Sequence, residues 1–124
     1  MAMNDTDMTA GTSSSMISST DVNGTDVYGA SSEKIGHIDH LMIDKQSGRV
    51  AYAVMHFGGF LGMGEEPHPV PWNSLTYDPS LGGYVTGITK EQLEGAPARD
   101  ADWRDSEGYR DDVYRHYNAA PYWI

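Results

Sequence analysis

The sequence contains no cysteine, which excludes a disulfide framework, a thiolate metal site and a thiol nucleophile. Positive charge is scarce. Eight Lys and Arg stand against 18 Asp and Glu, for a formal net charge of -10. An excess of this sign opposes binding to nucleic-acid phosphate, and no segment is locally basic. Residues 1–30 hold four acids and no base, residues 31–95 eight acids and four bases, and residues 96–124 six acids and four Arg. Long apolar runs are also missing, and none approaches the roughly 20 residues a membrane helix needs. The first basic residue is Lys34, and residues 1–20 lack an apolar block, so no secretory signal is visible and a cytoplasmic location is expected.

What remains is a chain of 124 residues, the size of one ordinary domain. Residues 1–16 are polar and aperiodic. They hold too little apolar area to offset their ordering entropy, so a disordered tail is expected. Val22-Asn23-Gly24 signals a turn, Val27-Tyr28 a short β-prone pair, and Gly29-Ala30-Ser31-Ser32 another turn. Ile35 to Asp44 reads as a strand, Lys45-Gln46-Ser47-Gly48 as a hairpin connection, and Val50 to Phe57 as the clearest strand of the chain. Both faces of that strand are largely apolar, so both are expected to be covered, by barrel closure or by a second subunit.

Glycines then alternate with large apolar side chains from Gly58 to Gly64, the pattern of a tight apolar loop. Pro67, Pro69 and Pro71 limit Val70 to a short edge strand. Leu75 to Tyr77 and Tyr84 to Thr86 flank an Asp78–Gly83 turn. Thr89 and Gln92 have capping-box spacing, and Gly95 and Pro97 stop the helix they start. A second helix is expected from Asp105 or Ser106 to about Tyr117. Tyr109 or Arg110, with Val113, Tyr114 and Tyr117, has the i, i+3, i+4, i+7 spacing of its apolar stripe. Pro121-Tyr122-Trp123-Ile124 is a bulky terminus of the kind that docks.

The run Glu33 to Asp44, with its continuation Ser47 to Val54, resembles the first hairpin of the PRC-barrel family. Phe57 to Gly64 is similar to that family's glycine-rich loop, and Val70-Pro71-Trp72-Asn73-Ser74-Leu75 to its V-P-W-x-x-L element. Gly83-Tyr84-Val85 and Thr89 to Leu93 resemble the closing strand and short helix. The resemblance spans about residues 17–97. It implies an all-β fold: a small PRC-type barrel of about six strands, with a short helix and a C-terminal helix. Residues 98–124 are then a helical extension packing on the barrel or on a partner subunit. The family includes the cytoplasmic domain of the photosynthetic reaction centre H subunit and the C-terminal domain of the ribosome maturation factor RimM. It is not known for a catalytic constellation, so the resemblance carries over no active-site residues.

Candidate chemistry is sparse. His37, Asp39 and His40 suggest a ligand or metal rim, but strand alternation puts His37 and Asp39 on one face and His40 on the other, which opposes a shared ion. His56 has no nucleophile or orienting acid tied to it by motif. Asp21-Val22-Asn23-Gly24 is too short for a calcium loop. The Gly58–Gly64 loop lacks the Lys-Ser/Thr of a phosphate cradle. No cofactor and no metal are therefore expected. The expected function is a non-catalytic protein-interaction or assembly module, a homodimer that also binds a protein partner but not nucleic acid. The alternatives are a small-ligand or metal binder using the His/Asp rim, and a membrane or photosynthetic-complex associated factor by analogy to the H subunit. The candidate interface residues are Met55, Phe57, Phe60, Leu61, Met63, Trp72, Trp103, Tyr114, Tyr117 and Trp123.

Overall fold

A computed structural model describes residues 15–57, 67–99 and 102–124. The expected tail over residues 1–16 lies almost wholly outside them, as do Phe60, Leu61 and Met63. The elements are α1 (Ser19–Val22), β1 (Asp26–Tyr28), β2 (Lys34–Ile43), β3 (Val50–His56), β4 (His68–Pro71), β5 (Thr76–Asp78), β6 (Gly83–Val85), α2 (Lys90–Glu94) and α3 (Glu107–His116). The six strands form one mixed sheet in the order β4-β3-β2-β1-β6-β5. Only the β1–β6 pair is parallel.

Local chemistry sets most of these boundaries. Gly48, at φ +77°, turns the β2–β3 hairpin in a conformation that disfavours side chains. Asp44 holds the same turn by accepting the Gln46 and Ser47 amides. The capping box is complete, with Thr89 Oγ1 accepting the Gln92 amide and Gln92 Oε1 accepting the Thr89 amide. Ser106 caps α3 by accepting the Tyr109 amide at 3.0 Å. The short α1 occupies the place where only a turn was expected. Ser18 caps it, and it buries Val22.

The sheet is strongly curled. Edge strands β4 and β5 are consecutive, joined by a 3-10 turn at Trp72–Ser74 and by Leu75. Six flat strands would hold those edges about 24 Å apart. The five residue steps from Pro71 to Thr76 reach at most about 18 Å when extended, and a 3-10 turn shortens that. The sheet must bend to let the chain cross. Two glycines mark where its backbones crowd. A Cβ on Gly36 would lie far inside contact with the His56 carbonyl oxygen and 3.0 Å from Phe57 Cα. One on Gly83 would lie 2.5 Å from the Asp26 carbonyl oxygen. Hydrogen bonding does not continue from β4 to β5, so the described strands make a curled sheet rather than a fully laddered barrel.

Residues Ala51 to Met55 of β3 are all buried, as the two apolar faces require. One face of β3 is covered from within the chain. The cover is the chain's own extension: Tyr52 packs on the rings of Trp103, Tyr109 and Tyr114. The Tyr114 hydroxyl donates to the Ala51 carbonyl at 2.6 Å. His116 Nε2–H donates to the Gln92 carbonyl at 2.7 Å, tying α3 to α2.

Candidate functional site

Three regions carry the functional candidates: a histidine rim, the docked C-terminus and the sheet edges. At the rim, β2 and β3 align His37 directly with His56, and their rings stack at 5.6 Å with an 8° interplanar angle. Strict alternation would turn His40 away from Asp39. The β2–β3 register instead shifts between Ile38 and His40, a bulge at Asp39 that re-aims the next side chain. Asp39 Oδ2 therefore meets His40 Nδ1 at 2.7 Å, while Oδ1 lies 3.7 Å from His56 Nε2. The hydrogen bond with His40, aided by the charge of the imidazoles, holds the Asp39 carboxyl below its ordinary range. Lys34, at the start of β2, pairs with Asp26 of β1 at 3.1 Å. Among the described residues, no group of three or more His, Asp or Glu is arranged to hold a metal ion.

The interface candidates divide by burial. Met55 is fully buried, and Phe57 is 2 % exposed. Trp103, Tyr114 and Tyr117 are buried beneath their own chain. These five lie in the core, so they stabilise the fold and leave no free surface. Burial pushes the Tyr114 hydroxyl up to about 12 and raises Tyr52 and Tyr117 further. Trp72 is half-buried, with its ring 5.3 Å from that of Tyr84. Trp123 is also half-buried. It packs at 4.8 Å on Tyr114 and carries the Arg110 guanidinium 3.9 Å above its ring. The bulky terminus is docked by Arg49 Nη1 donating to the Tyr122 carbonyl, Asn73 Nδ2 donating to the Ala120 carbonyl, and Tyr122 donating to Asp44 at 2.9 Å. Ile124 stays 96 % exposed.

The two sheet edges differ in kind. β4 contains Pro69 and Pro71, which remove backbone donors, and α3 packs against it. β5 contains no proline, pairs among the described residues only with β6, and shows Tyr77 to solvent. Sequence reasoning missed β5 as an edge. The available signal was negative: Thr76 to Asp78 lacks the prolines that blunt its counterpart. Arg110 was missed too, because its partners Asp44, Tyr122 and Trp123 lie far away in the chain.

No helix among the described residues is long and apolar enough to cross a membrane. The sequence profile of the PRC-barrel domain matches residues 15–93, more than half of the 124 residues. No curated protein matches the chain. The chain belongs to the PRC-barrel domain family, and residues 94–124, with α3 and the docked terminus, lie beyond the matched region.

Proposed function

We propose that this PRC-barrel domain protein is a non-catalytic interaction module that pairs with a second copy of itself and presents its sheet to a protein partner. The observation that carries the reading is the β5 edge, which takes no second strand among the described residues. A strand with unpaired backbone groups on one side is a template for another strand. Here the opposite edge is blunted by Pro69 and Pro71, while β5 has no such protection and shows Tyr77, 43 % exposed, beside it. Tyrosine is favoured at such contacts because it supplies large area for few rotamers. Pairing of two β5 edges is self-complementary, as a two-fold dimer requires. The five buried candidates belong to the core, whereas Tyr77 of this edge and the aliphatic Ile43 are exposed among the described residues.

Sedimentation velocity across about 1 to 100 µM tests the reading, since micromolar affinity is the ordinary scale for a small interface. The wild-type chain is expected to move from a 13.6 kDa species to twice that mass. Tyr77→Lys, which places a charge on the edge, is expected to keep it monomeric. A wild-type monomer over the whole range removes the self-pairing.

A further inference from the structure

The last residues of the chain occupy a groove between the β2–β3 hairpin, the Trp72–Ser74 turn and α3, and each wall supplies a side chain that holds them. Arg49 Nη1 donates to the Tyr122 carbonyl at 2.9 Å, and Asn73 Nδ2 donates to the Ala120 carbonyl at 2.8 Å. Asp44 accepts the Tyr122 hydroxyl at 2.9 Å, and the Gln46 and Ser47 amides fix that carboxylate in place. Trp123 lies between the Arg110 guanidinium, 3.9 Å above its ring, and the ring of Tyr114 at 4.8 Å. Side chains thus recognise two backbone carbonyls two residues apart, one phenol and one indole. Peptide-docking sites have this division of labour, in which bonds to the main chain give affinity and seats for side chains give specificity.

The occupant can leave without disturbing the groove. Asn118, at φ +55°, ends α3, and the helix is closed there by the Asn118 amide donating to the Arg115 carbonyl and the Ala119 amide to the Tyr114 carbonyl. α3 keeps its own cap and its own buried Tyr109, Val113 and Tyr114. None of residues 118–124 is buried, and the Arg49 and Asn73 bonds are exposed. Exposed hydrogen bonds each contribute little and exchange readily with water. Pro121 presets its own φ, which lowers the ordering cost of any segment that carries a proline there. The recognised groups are internal to the segment, so a stretch within a longer chain supplies them equally. We propose that this groove docks a Pro-Tyr-Trp segment of a partner protein, and that the chain's own residues 120–123 fill it in cis until the partner displaces them. The proposal names the partner chemistry for the interaction-module reading and rests on it.

The probe is the blocked peptide Asn-Ala-Ala-Pro-Tyr-Trp-Ile, added to the full chain and followed by isothermal titration calorimetry. Tyr122→Ser combined with Trp123→Ser loosens the segment in cis, and this variant is expected to bind the peptide with a Kd of about 10–100 µM. The wild-type chain is expected to bind about tenfold more weakly, because its own segment competes at an effective concentration of about 1 mM. A peptide with Ser-Ser in place of Tyr-Trp is not expected to bind. Adding Asn73→Ala to the double variant is expected to weaken the peptide about fivefold, the loss of one hydrogen bond. Tyr122→Phe removes only the bond to Asp44 and is expected to bind the peptide about threefold more tightly than wild type. It keeps the test decisive if the double variant fails to fold. Tyr77→Lys is expected to leave peptide binding unchanged, so failure of β5 pairing and failure of this groove are read separately. Absence of saturable binding at about 1 mM peptide, in the folded double variant or in Tyr122→Phe, overturns the proposal. So does binding of the Ser-Ser peptide, affinity no higher than wild type in the loosened chains, or full affinity with Asn73→Ala. Wild-type dimers that dissociate on adding the peptide would assign the groove to a second copy and overturn the partner reading.

Discussion

Replacing Gly36 by Ala probes the curvature of the sheet at its tightest point. The added methyl group would drive into the His56 carbonyl and stand 3.0 Å from Phe57 Cα. Both obstacles are backbone, so no rotamer change relieves them. Gly36 pairs with Val27 of β1, and the next residue, His37, pairs with His56 of β3, so β2 is held on both sides there. Restoring normal contact needs about 1 Å of separation between β2 and β3. Overpacking of this kind costs about 1–3 kcal/mol, and a rigid surround places it near the upper end. Stiffening the unfolded chain returns about 0.4–1 kcal/mol, leaving a net loss of about 2 kcal/mol. For a domain of this size that lowers the Tm by about 8–15 °C. Gly87→Ala is the control, since its Cβ would meet nothing within 4 Å. Urea denaturation followed by tryptophan fluorescence measures both. A Gly36→Ala protein within about 0.5 kcal/mol of wild type would refute the close approach inferred between β2 and β3.

Other consequences are testable in the same preparation. Tyr114→Phe removes the 2.6 Å hydrogen bond to the Ala51 carbonyl and is expected to destabilise the chain by about 1–2 kcal/mol in chemical denaturation. Tyr114 titrates near 12 in the folded state, against about 10 in the unfolded chain. Its contribution is present below pH about 10 and is lost as pH rises toward 12. An ultraviolet absorbance titration should show late-ionising tyrosines whose release coincides with unfolding. Asp39 has the opposite sign: its lowered folded value stabilises above the ordinary carboxylate range and fades as pH falls below about 4. Asp39→Asn should therefore lower the Tm at pH about 6 and approach the wild-type Tm in strong acid.

Much of this architecture is legible in the residues themselves. The capping box at Thr89 and Gln92, the Ser106 cap and the buried stripe of Tyr109, Val113 and Tyr114 are local patterns, and local patterns survive folding. Pro69 and Pro71 marked an edge strand for the same reason. The bulge at Asp39 was not legible, because alternation assumes a regular ladder and nothing in His37-Ile38-Asp39-His40 announces an extra residue. The destination of α3 was equally hidden. Its stripe specifies an apolar face but not which surface receives it, and the choice of its own β3 emerges only with Tyr52, Trp103 and Tyr114 assembled. The same holds for Arg110, whose partners converge from the β2–β3 hairpin and the last three residues.

Hydrogen exchange read by mass spectrometry at about 1 and 100 µM addresses the open edge most directly, because strand pairing protects backbone amides. The peptide containing Thr76 to Asp78 is expected to gain protection with concentration, while peptides from buried β3 stay unchanged. Concentration-independent exchange at Thr76 to Asp78 would contradict self-pairing through β5.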